Sequence, residues 1–164
     1  MSSFYRFADL TGDGTGSKLA NVDGSVTPQV FKLAPRDGEL YLRVERMVVH
    51  LADSGSLDSG AYGNNITLTN GITVEKRLAS DDSVLQDLTD GIPITTNAHW
   101  GRNCYDVDPI SFGLGDEAMN VRWTFSKAGK AIEINRTEYL AVVIRDNLTG
   151  LSDHTFKFDG TVKI

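Results

Sequence analysis

Three histidines (His50, His99 and His154) and 22 acidic side chains are the residues of this 164-residue chain best suited to moving protons or holding a metal. A histidine metal site needs ligands brought to one point, commonly by His-x-His or His-Glu-x-x-His spacing, and neither occurs. A Ser-His-Asp hydrolase sets its serine on a strained Gly-x-Ser-x-Gly turn, which is also missing. Glycoside hydrolysis needs two carboxylates about 5 to 10 Å apart across a cleft. Asp106 and Asp108 would share a strand face, while Asp81-Asp82 and Asp116-Glu117 fall in turns, and none stands in an apolar stretch that would tune its protonation. Asp9-x-Thr11-x-Asp13-Gly14 imitates the start of a calcium loop, but its twelfth position is Ala20 rather than a bidentate Glu, and no helix pattern flanks it. These residues give no reason to expect an enzyme, a bound metal or a cofactor.

Two tryptophans could instead bind sugars by stacking. Trp123 is in phase with Val121 and Phe125, so it is expected in the core. Trp100, in His99-Trp100-Gly101-Arg102, is expected to plug one end of the fold, with a sugar platform as the other reading. Cys104 is the only cysteine, which rules out an intrachain disulfide and any multi-cysteine zinc site; its place in a strand makes it a small buried hydrophobe.

The elements that would position such residues are strands. From Gln29 onward apolar residues recur at every second position: Leu40, Leu42 and Val44; Met47, Val49 and Leu51; Val121, Trp123 and Phe125; Leu140, Val142 and Ile144. Between Gly38 and Asp53 the phase slips at Glu45-Arg46, and a β-bulge there would return both halves to one face. Residues 65–75 suggest a hairpin with a three-residue loop, Thr69-Asn70-Gly71, pairing Leu68 with Ile72 and Ile66 with Val74, Gly71 being left-handed. Residues 83–89 fit a strand or one helical turn. Further strands are expected over 105–112, 120–126, 131–134, 138–145 and 155–164, where Phe156 and Phe158 alternate inward, with a loop at 113–116 and a turn at 127–130. His50 falls in a strand and His154 at a loop edge. About nine such segments predict an all-β fold, a single antiparallel jelly-roll-like β-sandwich over residues 29–164. Residues 1–28 differ: an aromatic opening (Phe4, Tyr5, Phe7) runs into Thr11-Gly12-Asp13-Gly14-Thr15-Gly16-Ser17, read as an N-terminal arm and a Gly-rich loop. The aromatics either tuck onto their own domain or anchor the chain on a neighbour.

A net charge of −6 without a basic run argues against nucleic acid as a partner. The first residues lack a signal-peptide core and no apolar stretch reaches membrane length, so no membrane partner is expected and synthesis and folding are expected in a cytoplasm. The Asn-x-Thr sequences at Asn65, Asn135 and Asn147 are then accidents of composition.

The ordered series Gly12-Asp13-Gly14-Thr15-Gly16, 58–64 (Asp-Ser-Gly-Ala-Tyr-Gly-Asn), 68–72 (Leu-Thr-Asn-Gly-Ile), 87–94 (Asp-Leu-Thr-Asp-Gly-Ile-Pro-Ile), Trp100-Gly101-Arg102 to Tyr105-Asp106-Val107 and 121–125 (Val-Arg-Trp-Thr-Phe) resembles small jelly-roll virion proteins of tailed bacteriophages. The resemblance implies a capsid decoration or cement protein: a homotrimer on the outer capsid surface of the virion, bridging capsomers, with the major capsid protein and its own copies as partners. It leaves as alternatives a tail, neck or fibre-adaptor protein of the same virion, and a glycan-binding jelly-roll module. Candidate contacts are Phe4, Tyr5 and Phe7 of the arm and the loop from Asp53 to Asn64, within it Asp58, Tyr62 and Asn64.

Overall fold

Alternating apolar residues build two antiparallel sheets that pack as a β-sandwich. The computed structural model describes residues 1–64, 66–99, 106–111, 117–125 and 131–164, and for 106–111 the backbone alone. Asn65, Trp100, Cys104, the 113–116 loop and the 127–130 turn lie outside the described residues, as do the side chains of Asp106 and Asp108. The strands are β1 (Ser2–Phe7), β2 (Gln29–Leu33), β3 (Tyr41–Asp53), β4 (Ile72–Leu78), β5 (Val84–Asp87), β6 (Asp106–Ser111), β7 (Glu117–Thr124), β8 (Ile132–Asn135), β9 (Glu138–Ile144) and β10 (Asp153–Lys163). The larger sheet runs β1-β10-β3-β7-β6, with β8 pairing the first residues of β3; the smaller runs β2-β9-β4-β5. The chain crosses between the sheets after β1, β2, β3, β5, β8 and β9, an order compatible with a jelly roll. One 3-10 turn, Asn97–His99, interrupts the loop after β5.

Phe4, Leu42, Val44, Met47, Val49, Leu51, Val121, Trp123, Phe156 and Phe158 of the larger sheet face Phe31, Leu33, Ile72, Val74, Leu140, Val142 and Ile144 of the smaller one, all of them buried. Residues of β3 on either side of Glu45 reach the same interior because the β3–β10 register jumps there: Asp159 pairs with Arg46 and Gly160 with Val44, leaving Glu45 unopposed. The bulge expected from the phase slip is therefore present. Leu40 lies before the strand and is half-exposed, so the interior face begins at Leu42.

Three expectations are corrected. Residues 2–7 form an edge strand paired along their length with β10, not an arm. Phe4 enters the core, and Arg6 is held in a bidentate ion pair with Glu39, the second bond being Nη1 to Oε2 at 2.9 Å. Burial raises the Glu39 carboxyl, but the Arg6 hydrogen bond, the Arg36 amide and both arginine charges outweigh it and hold it below its ordinary value. The hairpin over 65–75 does not form. Leu68 donates its amide to Thr95, and Ile94 takes the edge beside Ile72, although Gly71 does sit at φ +78°. His154 is not at a loop edge but inside β10 and fully buried.

Candidate functional site

Loops 19–28, 54–71, 88–99 and 145–152 gather at the end of the sandwich where β3 finishes and β10 begins. Buried Tyr62, Leu68, Ile94, Leu148 and Leu151 anchor these loops to the core, and acidic and amide side chains fix the path of their backbone. Asp146, only 8% exposed, accepts the backbone amides of Thr69 (2.8 Å), Asn70 (3.0 Å) and Gly71 (2.7 Å), while its own carbonyl accepts Gly24 N–H at 2.9 Å. Loops from opposite parts of the chain are thus tied at one residue. Asp53 accepts the amides of Ser54 and Asn64, and Glu117 that of Leu57. Asn97 braces 58–63, donating its Nδ2 to the Asp58 and Gly63 carbonyls at 2.7 and 2.8 Å and accepting the Gly63 amide at 3.0 Å. A loop whose carbonyls and amides are bonded this densely enters a complex having already lost its freedom. It carries Ile66, 81% exposed, and the neighbouring loop carries Val26, 92% exposed.

Tyr62 and His154 form the buried floor of this end, the tyrosine hydroxyl 2.8 Å from His154 Nε2 and the rings at 61°. Burial lifts the Tyr62 phenol well above its ordinary value. Burial likewise drives His154 from 6.5 down to about 3; the Ala20 backbone hydrogen bond opposes this only in part, and the His50 charge adds to it. The unfolded chain therefore takes up a proton that the folded one refuses, so stability is complete above pH 6.5 and falls as pH drops toward 3. Between pH 6.5 and 5, before carboxylates titrate, this costs roughly 2 kcal/mol. Urea unfolding midpoints should fall across that window in the native chain and stay nearly level in His154→Gln.

A second feature lies on the outer face of the larger sheet, about seven residues or roughly 23 Å along β3 from the loop end. It is an open groove of about 470 Å³ between β1 and β7, deepened where the bulge re-aims Glu45 and Arg46. Tyr5, Asp159 and Arg46 form one row across three strands, with Arg46 Nε bonded to Asp159 Oδ2 at 2.8 Å. Arg122 closes the far side and Thr161 the near one. Tyr5 is 60% exposed, and its ring meets that of Phe7 edge-on at 6.1 Å.

The structure divides the six candidate contacts between these places. Phe4 and Tyr5 line the groove, Phe4 from within the core, and Phe7 lies beside it under the ammonium groups of Lys18 and Lys157. Asp58, Tyr62 and Asn64 belong to the loop end; Asp58 and Asn64 are exposed there and Tyr62 is fully buried. Glu45, Arg46, Asp159, Asp146, Val26 and Ile66 were not expected. Adjacent charges inside a strand are the signal for the first two. Asp9 and Asp13, the calcium-loop lookalike, spend their oxygens on local donors: Asp9 accepts Gly12 N–H at 2.5 Å and Gly16 N–H at 2.6 Å, and the Thr15 and Thr11 hydroxyls hold Asp13 down at about 2. Among the described residues no three His, Cys, Asp or Glu side chains converge as a metal site. No protein-family model matches this chain, and neither a curated protein nor a solved structure matches it.

Proposed function

We propose that this chain is a structural virion protein that decorates the outer surface of a phage capsid and cements it by bridging capsomers, as a homotrimer. The observation that carries the reading is the loop end: Val26 and Ile66 stand almost fully exposed on loops stiffened by Asp146, Asp53 and Asn97. Exposed aliphatic side chains on preorganised loops lose little entropy on docking and gain apolar burial. A strand order compatible with a jelly roll, and the sequence motifs set out above, support the same reading. Many copies on one shell let modest single contacts add through multivalency.

Heating purified particles with and without the protein tests the role, and the expected result is a lower rupture temperature without it. Equal rupture temperatures would count against cementing. Val26→Ser with Ile66→Ser should lower occupancy of the shell at least about tenfold while leaving the melting of the free protein unchanged, because neither side chain is in the core. Copy number tests the location: hundreds per particle are expected on a shell, whereas a dozen or fewer would place the protein at the tail or neck.

A further inference from the structure

The groove beside the bulge is separate from the end of the molecule that we assign to the shell, and its chemistry is different. Its charged side chains balance, Glu45 and Asp159 against Arg46 and Arg122, so an anionic polymer gains no net attraction there. What the groove offers is an exposed aromatic ring with hydrogen-bond acceptors and donors beside it, at strand spacing. Tyr5, Asp159 and Arg46 occupy adjacent strands, about 5 Å from one to the next, so the row spans roughly 10 Å. The edge contact with Phe7 orients the Tyr5 ring, and the Arg46 Nε bond orients the Asp159 carboxylate. Thr161 adds a hydroxyl that both donates and accepts.

From this geometry we infer that the groove is a binding site for a neutral saccharide of one to two pyranose rings, stacked by its C–H face on Tyr5. Vicinal sugar hydroxyls each donate and accept, which matches a carboxylate and a guanidinium fixed side by side; the apolar face of the ring matches an aromatic platform. Neither a phosphate nor a purely aliphatic ligand would use both halves. The volume of about 470 Å³ suits a short saccharide. The inference does not depend on the virion role, since it concerns a different surface.

Isothermal titration of the purified protein with neutral gluco-, galacto- and manno-configured trisaccharides, and with a sialylated trisaccharide as the anionic arm, tests it. At least one neutral trisaccharide is expected to bind, Tyr5→Ala weakening it at least about tenfold and Tyr5→Phe keeping it within about threefold. Asp159→Asn should weaken binding while Val26→Ser leaves it unchanged. Because Tyr5 is exposed, Tyr5→Ala should melt as the native chain does, which keeps loss of binding distinct from loss of fold. No heat with any neutral trisaccharide, equal binding by Tyr5→Ala, or binding of the sialylated arm alone would each overturn the proposal. Particle rupture unaffected by removing the protein would sink the shell reading while leaving this one standing.

Discussion

Gly160→Ala is expected to cost at least about 3 kcal/mol of stability, a large share of the total for a domain of this size. Gly160 follows the register jump opposite Val44, and a Cβ built on it would lie inside the Arg43 carbonyl oxygen, with the Arg43 carbon and the Glu45 amide nitrogen each at 3.0 Å. All three obstacles are backbone of β3, which β10, β7 and β8 hold in place. Relief requires parting the β3–β10 ladder, and the same shift would disturb Glu45 and Arg46 at the groove. Gly38→Ala is the control: it also sits at positive φ, +88°, but has nothing within 4 Å, so only backbone strain of about 1 kcal/mol applies. Urea unfolding should show a much lower midpoint for Gly160→Ala than for Gly38→Ala at similar slope. Midpoints within about 1 kcal/mol of each other would mean that the bulge is more pliant than its contacts indicate.

Removing the carboxylate of Asp146 should have a comparable effect by a different route. Asp146→Ala strands the amides of Thr69, Asn70 and Gly71, all presently bonded to a charged acceptor in a largely dry place. Bonds to a charged acceptor are worth about 1.5 to 3 kcal/mol each, and three sharing one carboxylate are not additive, so a total loss of about 3 to 5 kcal/mol is expected. Asp146→Asn keeps an acceptor oxygen and should recover about half of it. Hydrogen exchange gives the sharper readout: protection at 69–71 should collapse while the β3–β10 amides keep theirs. If Asp146→Ala leaves 69–71 protected, some other acceptor organises that loop and the stiffened docking end loses its main brace.

The parts of this fold that could be read from the chain are those decided by side chains two residues apart. Leu42, Val44, Met47, Val49 and Leu51 announce a buried strand, and the charged pair Glu45-Arg46 announces where its phase must slip. Pairings decided at long range could not be read. Nothing near Asn70 reveals that Asp146 will take its amide, so a local hairpin is the natural reading of 65–75, and it fails for that reason. Nor does the aromatic opening reveal β10 as its partner, because an edge strand and a free arm share the same alternation. His154 follows Asp153, which suggests a loop until Tyr62 is seen to cover it. Two of the Asn-x-Thr sequences have a plain structural use: Asn135 and Asn147 each accept both the amide and the hydroxyl of the threonine two residues on, closing a turn. The groove is half legible: Tyr5 stands out in the aromatic opening, but its polar neighbours come from three other strands.

Because β10 is inserted between β1 and β3, those two early strands have no mutual neighbour until the ribosome has gone on to residues 153–163, about a hundred residues beyond the end of β3. During that interval Phe4 and the bonding edge of β3 are open to other nascent chains, so yield in a cell should respond to temperature and to the supply of holding chaperones more steeply than the finished protein's resistance to heat would suggest.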